Sequence, residues 1–169
     1  MKLHVIIYLS LLLFAGSGCS DFLDVQPKDK QSEEQLFATR GGFYTAVNGI
    51  YNKLAGSTLY GKNLTYEMID ILAFRYTPLS VNKYYTALVK PDYTDETVEA
   101  NLSSIWSSAY ATILNCNVLL KNLEISTGVL NEQEKKVLTG EALALRAFLH
   151  LDMLRLFGPV YVKNPSAEA

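Results

Sequence analysis

Apolar and polar residues alternate along this chain in distinct regimes, and each regime predicts an element. Val5 to Ala15 is an almost unbroken apolar run. From Phe43, apolar side chains recur every three or four residues, at Val47, Ile50, Tyr51 and Leu54, which puts one stripe on a helix ending near Gly56. A shorter helical segment is expected over Leu64 to Phe74. Between Arg75 and Asp92 the period is lost and Pro78 and Pro91 interrupt, so this stretch reads as a long irregular loop. Beyond Asp95 the period returns: Leu102, Ile105, Ala109, Ile113, Cys116, Leu120 and Leu123 fall at helical spacing, with Trp106 and Leu119 widening the stripe, on a long helix ending near Gly128. Val137, Leu138, Leu145, Phe148, Leu149 and Leu156 mark a second long helix, stopped by Gly158-Pro159. No strand-like alternation competes, so the fold class is all-α.

Local signals set the boundaries. Ser32-Glu33-Glu34-Gln35 and Asn131-Glu132-Gln133-Glu134 both have the pattern of a capping box, in which the first side chain satisfies an orphan amide and the fourth reaches back. Gly41-Gly42 is expected to separate the first helix from the next. Two long helices with a short connection pack antiparallel, and Ala142, Ala144 and Ala147 let a neighbour approach closely, as in stacked helical hairpins. Trp106 is expected as a core anchor between helices and Cys116 as a small buried residue. Glu141 and Arg146 lie five apart and face differently, so Arg146 is expected to hold a carboxylate or carbonyl on a packed neighbour.

The N-terminal run is about half of the ~20 apolar residues needed to span a bilayer. With Lys2 before it and Ala15-Gly16-Ser17-Gly18 after it, residues 1–18 read as an export leader. Small residues followed by Cys19-Ser20-Asp21 resemble a bacterial lipobox, although Gly16 stands where such motifs usually carry leucine. Cys19 is therefore expected to carry the lipid, with two or more acyl chains giving a firm anchor at about 0.8 kcal/mol per buried methylene. Residues 19–31, containing Pro27 and the charges Lys28-Asp29-Lys30, read as a tether, and 32–169 as the helical domain.

Composition narrows the chemistry. The chain has 169 residues, 49% of them hydrophobic, and a formal net charge of −2, with no basic stripe to neutralise phosphates, so nucleic acid is excluded as a partner. Only His150 lies beyond the leader, which leaves no metal site of familiar spacing and no general base with an evident partner. Glu67 and Asp70, three apart on a helix, do not make the facing pair that glycoside hydrolysis requires. The expectation is a non-enzyme without a cofactor. Eleven tyrosines accompany a single tryptophan. Tyr76, Tyr84, Tyr85 and Tyr93 sit in or beside the irregular loop, the segment where a binding surface would lie. Amphipathic rings usually bury in part, so the first expectation is that they pack the loop onto its helices, and the alternative is that Tyr76, Tyr84 and Tyr85 contact a ligand.

Several runs together resemble the N-terminal part of the SusD/RagB family: Cys19-Ser20-Asp21-Phe22-Leu23-Asp24; Gly42 to Tyr51; Ile105-Trp106 with Tyr110, Ile113, Asn117 and Leu120; and Gly140-Glu141-Ala142, Leu145-Arg146-Ala147-Phe148 and Leu156-Phe157-Gly158-Pro159-Val160. The resemblance implies tetratricopeptide-like hairpins in an N-terminal portion of a longer fold. It also implies an outer-membrane, surface-exposed, lipid-anchored protein that binds oligosaccharides or other nutrients and delivers them to a TonB-dependent, SusC-like barrel. The resemblance transfers no individual ligand residues; Tyr76, Tyr84 and Tyr85 are candidate ligand contacts from their loop position and side-chain type. The alternative is a helical-repeat lipoprotein that engages proteins and has no glycan site of its own. An apolar face left open on the Leu138 to Leu156 helix is a further expectation.

Overall fold

The computed structural model of the chain describes residues 32–75, 83–90 and 92–159. The leader, Cys19, the tether, Tyr76, Pro78, Pro91 and Val160 lie outside the described residues. Within them the regular structure is helical throughout: α1 (Glu33–Phe37), α2 (Arg40–Leu54), α3 (Met68–Leu72), α4 (Lys83–Val89), α5 (Glu96–Ile125) and α6 (Glu132–Phe157). No helix among the described residues is long and apolar enough to cross a membrane.

Capping accounts for most of the starts. Ser32 Oγ accepts from the Gln35 amide while the Gln35 side chain accepts from the Ser32 amide, completing the first box. Asn131 and Glu134 complete the second at the start of α6. Asp95 caps α5 by accepting from the amides of Thr97 and Val98. The break between α1 and α2 is not at the glycines. It falls at Ala38-Thr39, where Thr39 is extended and its hydroxyl accepts from the Gly42 amide, so α2 runs straight through Gly41-Gly42. Gly42 instead permits a close backbone approach. A β-carbon there would lie 1.6 Å from the Leu36 carbonyl oxygen, so only glycine lets the chain fold back this tightly between α1 and α2.

The core assembles from one face of each helix. Phe43, Val47, Ile50 and Leu54 of α2, Met68 and Ile71 of α3, and Leu88 of α4 meet Val98, Ile105, Ala109, Ile113, Cys116, Leu119 and Leu123 of α5 and Leu138, Ala142, Leu149 and Met153 of α6. Burial pushes the Cys116 thiol pKa up, as an apolar neighbourhood disfavours the thiolate. The α5/α6 hairpin is antiparallel. Contacts run Lys135 to Glu124, Arg146 to Asn117, His150 to Tyr110 and Phe157 to Trp106, the number on one helix falling as that on the other rises. Ala142 sits at the seam, buried, where a small side chain lets the backbones close in.

Two further expectations need correction. The stretch from Arg75 to Asp92 contains α4, with Ala87 and Leu88 buried, because Lys83-Tyr84-Tyr85-Thr86-Ala87-Leu88-Val89 has just enough helical spacing to seat two residues on the core. Trp106 is not a core anchor. It is 44% exposed, since it lies at the edge of the α5 stripe while Ile105 and Ala109 take the centre. The expected open face on the last helix is present: Leu143, Leu151 and Leu154, which share one side of it, are all exposed.

Candidate functional site

Trp106 and Tyr110 stand one turn apart on α5, which places both rings on one side of the helix. Their centroids are 4.6 Å apart with planes tilted by 39°. Phe157, in the last turn of α6, packs nearly perpendicular to Trp106 with centroids 5.0 Å apart, and His150 does the same with Tyr110 at 6.0 Å. These side chains, with Met153, Leu154 and Gly158, line an open cleft of about 380 Å³. The antiparallel register produces it: the first half of α5 lies beside the end of α6, so aromatic residues far apart in sequence converge. Trp106 and Tyr110, at 44% and 38% exposed, keep much of their ring faces in solvent.

A half-exposed indole beside a phenol is a surface with apolar faces and hydrogen-bonding rims. The C–H face of a sugar ring or a peptide side chain can lie on such a surface while its polar groups stay wet. Arg146 lies further along the hairpin, where its Nη1 donates to Asn117 Oδ1 at 2.8 Å. This is the neighbouring carbonyl expected for it, supplied by a side-chain amide. Among the described residues, no group of three or more His, Cys, Asp or Glu is placed to hold a metal ion.

The tyrosines singled out from sequence lie elsewhere. Tyr84 and Tyr85 are on α4, half-buried, with ring centroids 5.2 Å apart. Tyr85 donates its hydroxyl to Glu67 Oε1 at 2.5 Å, and Lys62 reaches the other Glu67 oxygen at 2.8 Å. Burial alone would raise the Glu67 pKa, but the hydrogen bonds from Lys62 and Tyr85 outweigh it and hold the carboxyl below its ordinary range. Burial pushes the Tyr84 phenol up to about 12, helped by the negative Glu67. Tyr84 and Tyr85 thus form a cluster that ties α4 to the turn before α3, apart from the Trp106 cleft. Tyr76 lies outside the described residues. The signal for the Trp106 cleft is present in the sequence as the four-residue spacing of Trp106 and Tyr110; its pairing with Phe157 requires the register.

Comparison with known proteins places these features in a family. The family model described as SusD-like, starch-binding and associating with the outer membrane matches residues 21–169. The chain is similar to SusD-like protein P2 of Formosa agariphila, 28% identical over 165 residues that cover 95% of this chain and 31% of that protein. It is also similar to SusD-like protein P25 of the same organism, 24% identical over 170 residues, covering 96% of this chain and 32% of the relative. A SusD-like protein of Bacteroides ovatus is 27% identical over 162 residues, covering 92% of this chain and 27% of the relative. The chain spans about a third of the length of the curated relatives it matches. No solved structure matches it.

Proposed function

The chain belongs to the SusD-like family, and on that premise we propose that it acts as a surface lipoprotein that binds oligosaccharides or other nutrients without transforming them and passes them to a TonB-dependent, SusC-like barrel in the outer membrane. One observation carries the binding part of this reading: the open cleft in which Trp106 and Tyr110 keep ring surface in solvent, with Phe157 lining it. Exposed aromatic faces cost free energy in water and gain it back against the C–H faces of a sugar.

The anchor rests on sequence. Cys19, following Gly16-Ser17-Gly18, is the proposed acylated N-terminus after removal of residues 1–18, with 19–31 as the tether and 32–169 as the SusD-like helical domain. Mass spectrometry of the N-terminal peptide from membrane-purified protein tests it: a mass increase equal to a diacylglyceryl group plus an acyl chain on Cys19 is expected, and an unmodified cysteine overturns it.

Calorimetric titration of the full chain with maltohexaose tests the binding role. Binding that weakens at least fivefold in a Trp106→Ala variant of unchanged thermal midpoint is the expected result. Absence of binding to every neutral and acidic glycan overturns the sugar-binding part of this reading. The exposed apolar face of α6, with Leu143, Leu151 and Leu154, favours a second reading, a lipoprotein whose work is protein contact alone. That reading gains if glycan binding is absent while co-purification with a barrel transporter persists.

A further inference from the structure

A second groove lies on a different side of α6, and its lining differs from that of the Trp106 cleft. It has a volume of about 400 Å³, within the ~300–1,000 Å³ typical of small-ligand sites, and lies between residues 60–69 and the C-terminal half of α6. Tyr60 stacks on Phe148, with centroids 4.9 Å apart and planes 28° from parallel. Phe148 is nevertheless 47% exposed, so ring surface remains open to the groove. Beside this pair, Tyr60 donates its hydroxyl to Asp152 Oδ2 at 2.9 Å. Burial, followed by that hydrogen bond, raises the Tyr60 pKa and keeps the phenol a donor. The other carboxylate oxygen, Oδ1, faces Arg155 Nη1 at 3.5 Å, longer than a normal charge-assisted hydrogen bond.

We propose that this groove is a second sugar-contact site, taking one neutral hexose ring with its C–H face on Phe148 and two adjacent hydroxyls on the Asp152–Arg155 pair. The inference rests on the nutrient-binding reading above. Asp152 Oδ2 is committed to Tyr60, which fixes the plane of the carboxylate, and Oδ1 is left to accept from one sugar hydroxyl. The guanidinium, 74% exposed on its side chain, donates to the neighbouring hydroxyl oxygen. The loose 3.5 Å pair is what a vicinal diol can bridge without breaking a strong contact. Charge selects the ligand class: the carboxylate and guanidinium cancel, so the groove offers no net positive field to a uronate or sulfated ring. Leu64, Ile69 and Leu156 supply the apolar wall that such a ring needs on its remaining face.

Titration of the full chain with maltohexaose, repeated for Arg155→Met, Asp152→Asn and Trp106→Ala, tests the proposal. Arg155 is exposed, so its variant keeps the fold, and thermal midpoints verify this for all three. Losses of fivefold or more in affinity for Arg155→Met and Asp152→Asn support the site. Wild-type binding left unchanged by both variants, whether or not Trp106→Ala weakens it, overturns this site and leaves the nutrient-binding reading standing. No binding of maltohexaose or of an oligogalacturonate by the unaltered chain overturns both this site and the sugar-binding part of the reading above. Tighter binding of an oligogalacturonate of the same length, lost in Arg155→Met, overturns the assignment to neutral rings.

Discussion

Arg40 and Glu134, 94 residues apart in sequence, meet at 2.5 Å and join the start of α2 to the start of α6. Glu134 is also the acceptor that closes the α6 capping box through the Asn131 amide, and Tyr44 donates to it at 3.3 Å. One carboxylate therefore serves a local cap and a long-range tie. Removal of the cap's other member, by Asn131→Ala, is expected to cost about 1 kcal/mol, the usual loss for an N-cap. Denaturant unfolding monitored by circular dichroism measures it, and an unchanged midpoint would contradict the capping role.

The same carboxylate sets an acid limb on stability. The Arg40 hydrogen bond, then the Asn131 amide, hold the Glu134 carboxyl below its ordinary pKa, and the Thr97 hydroxyl with two amides does the same for Asp95 at the start of α5. A depressed folded-state pKa means that the unfolded chain binds the proton first. The contribution is then complete above the ordinary carboxylate range and is lost as pH falls through the lower, folded value. Denaturation midpoints are expected to be flat from neutral pH to about pH 5 and to decline below it, with a shallower decline in Glu134→Gln. An identical acid limb in that variant would show that Glu134 is not a source of it.

Arg146 and Asn117 test the hairpin directly. Their 2.8 Å bond crosses the α5/α6 seam at a partly exposed position, so Arg146→Met is expected to cost roughly 1 kcal/mol, the scale of a net side-chain hydrogen bond. A double-mutant cycle with Asn117→Leu should return a positive coupling energy, and strict additivity would indicate that the two side chains do not interact.

Glycine positions separate close approach from helix propensity. At Gly42 a methyl group meets the Leu36 carbonyl at 1.6 Å, so Gly42→Ala forces the end of α1 away from α2 and is expected to destabilise by roughly 2 kcal/mol or more, as strained overpacking does. Gly49 lies in the interior of the same helix with nothing within 4 Å of the added carbon. There Gly→Ala is expected to stabilise by about 0.5–1 kcal/mol. Opposite signs from thermal melts of the two variants are the outcome that matters.

Most of the scaffold is legible in the sequence because its signals are local. The spacing of Ile105, Ala109, Ile113 and Cys116 alone identifies α5, and Asn131 with Glu134 alone fixes where α6 begins. The break before α2 is not legible, because the glycine pair looks like punctuation whereas Thr39 caps and Gly42 serves a backbone contact that only the folded chain contains. The helix at Lys83–Val89 escapes sequence reading because seven residues with two buried side chains carry too little periodicity to stand out. The candidate sites are the least legible part. Trp106 meets Phe157, and Tyr60 meets both Phe148 and Asp152, across antiparallel register and a long connection. Sequence periodicity does not report such pairings.

Helix α6 carries the last prediction. Its buried side, Leu138, Ala142, Leu149 and Met153, faces the core, yet Leu143, Ala147, Leu151 and Leu154 fall together on another side at 100° per residue and are exposed. A helix that is apolar on more than one side belongs in an interior or against a partner. Contiguous apolar surface of this kind promotes association in solution. The purified chain is therefore expected to sediment as a concentration-dependent mixture at tens of micromolar, and Leu143→Lys with Leu151→Lys should shift it toward monomer. Neither leucine is in the core, so helical content and the denaturation midpoint should hold. A wild-type chain that stays monomeric across that range would show that the stripe is tolerated bare, and a double variant that loses helix would show that the stripe is covered within the chain itself.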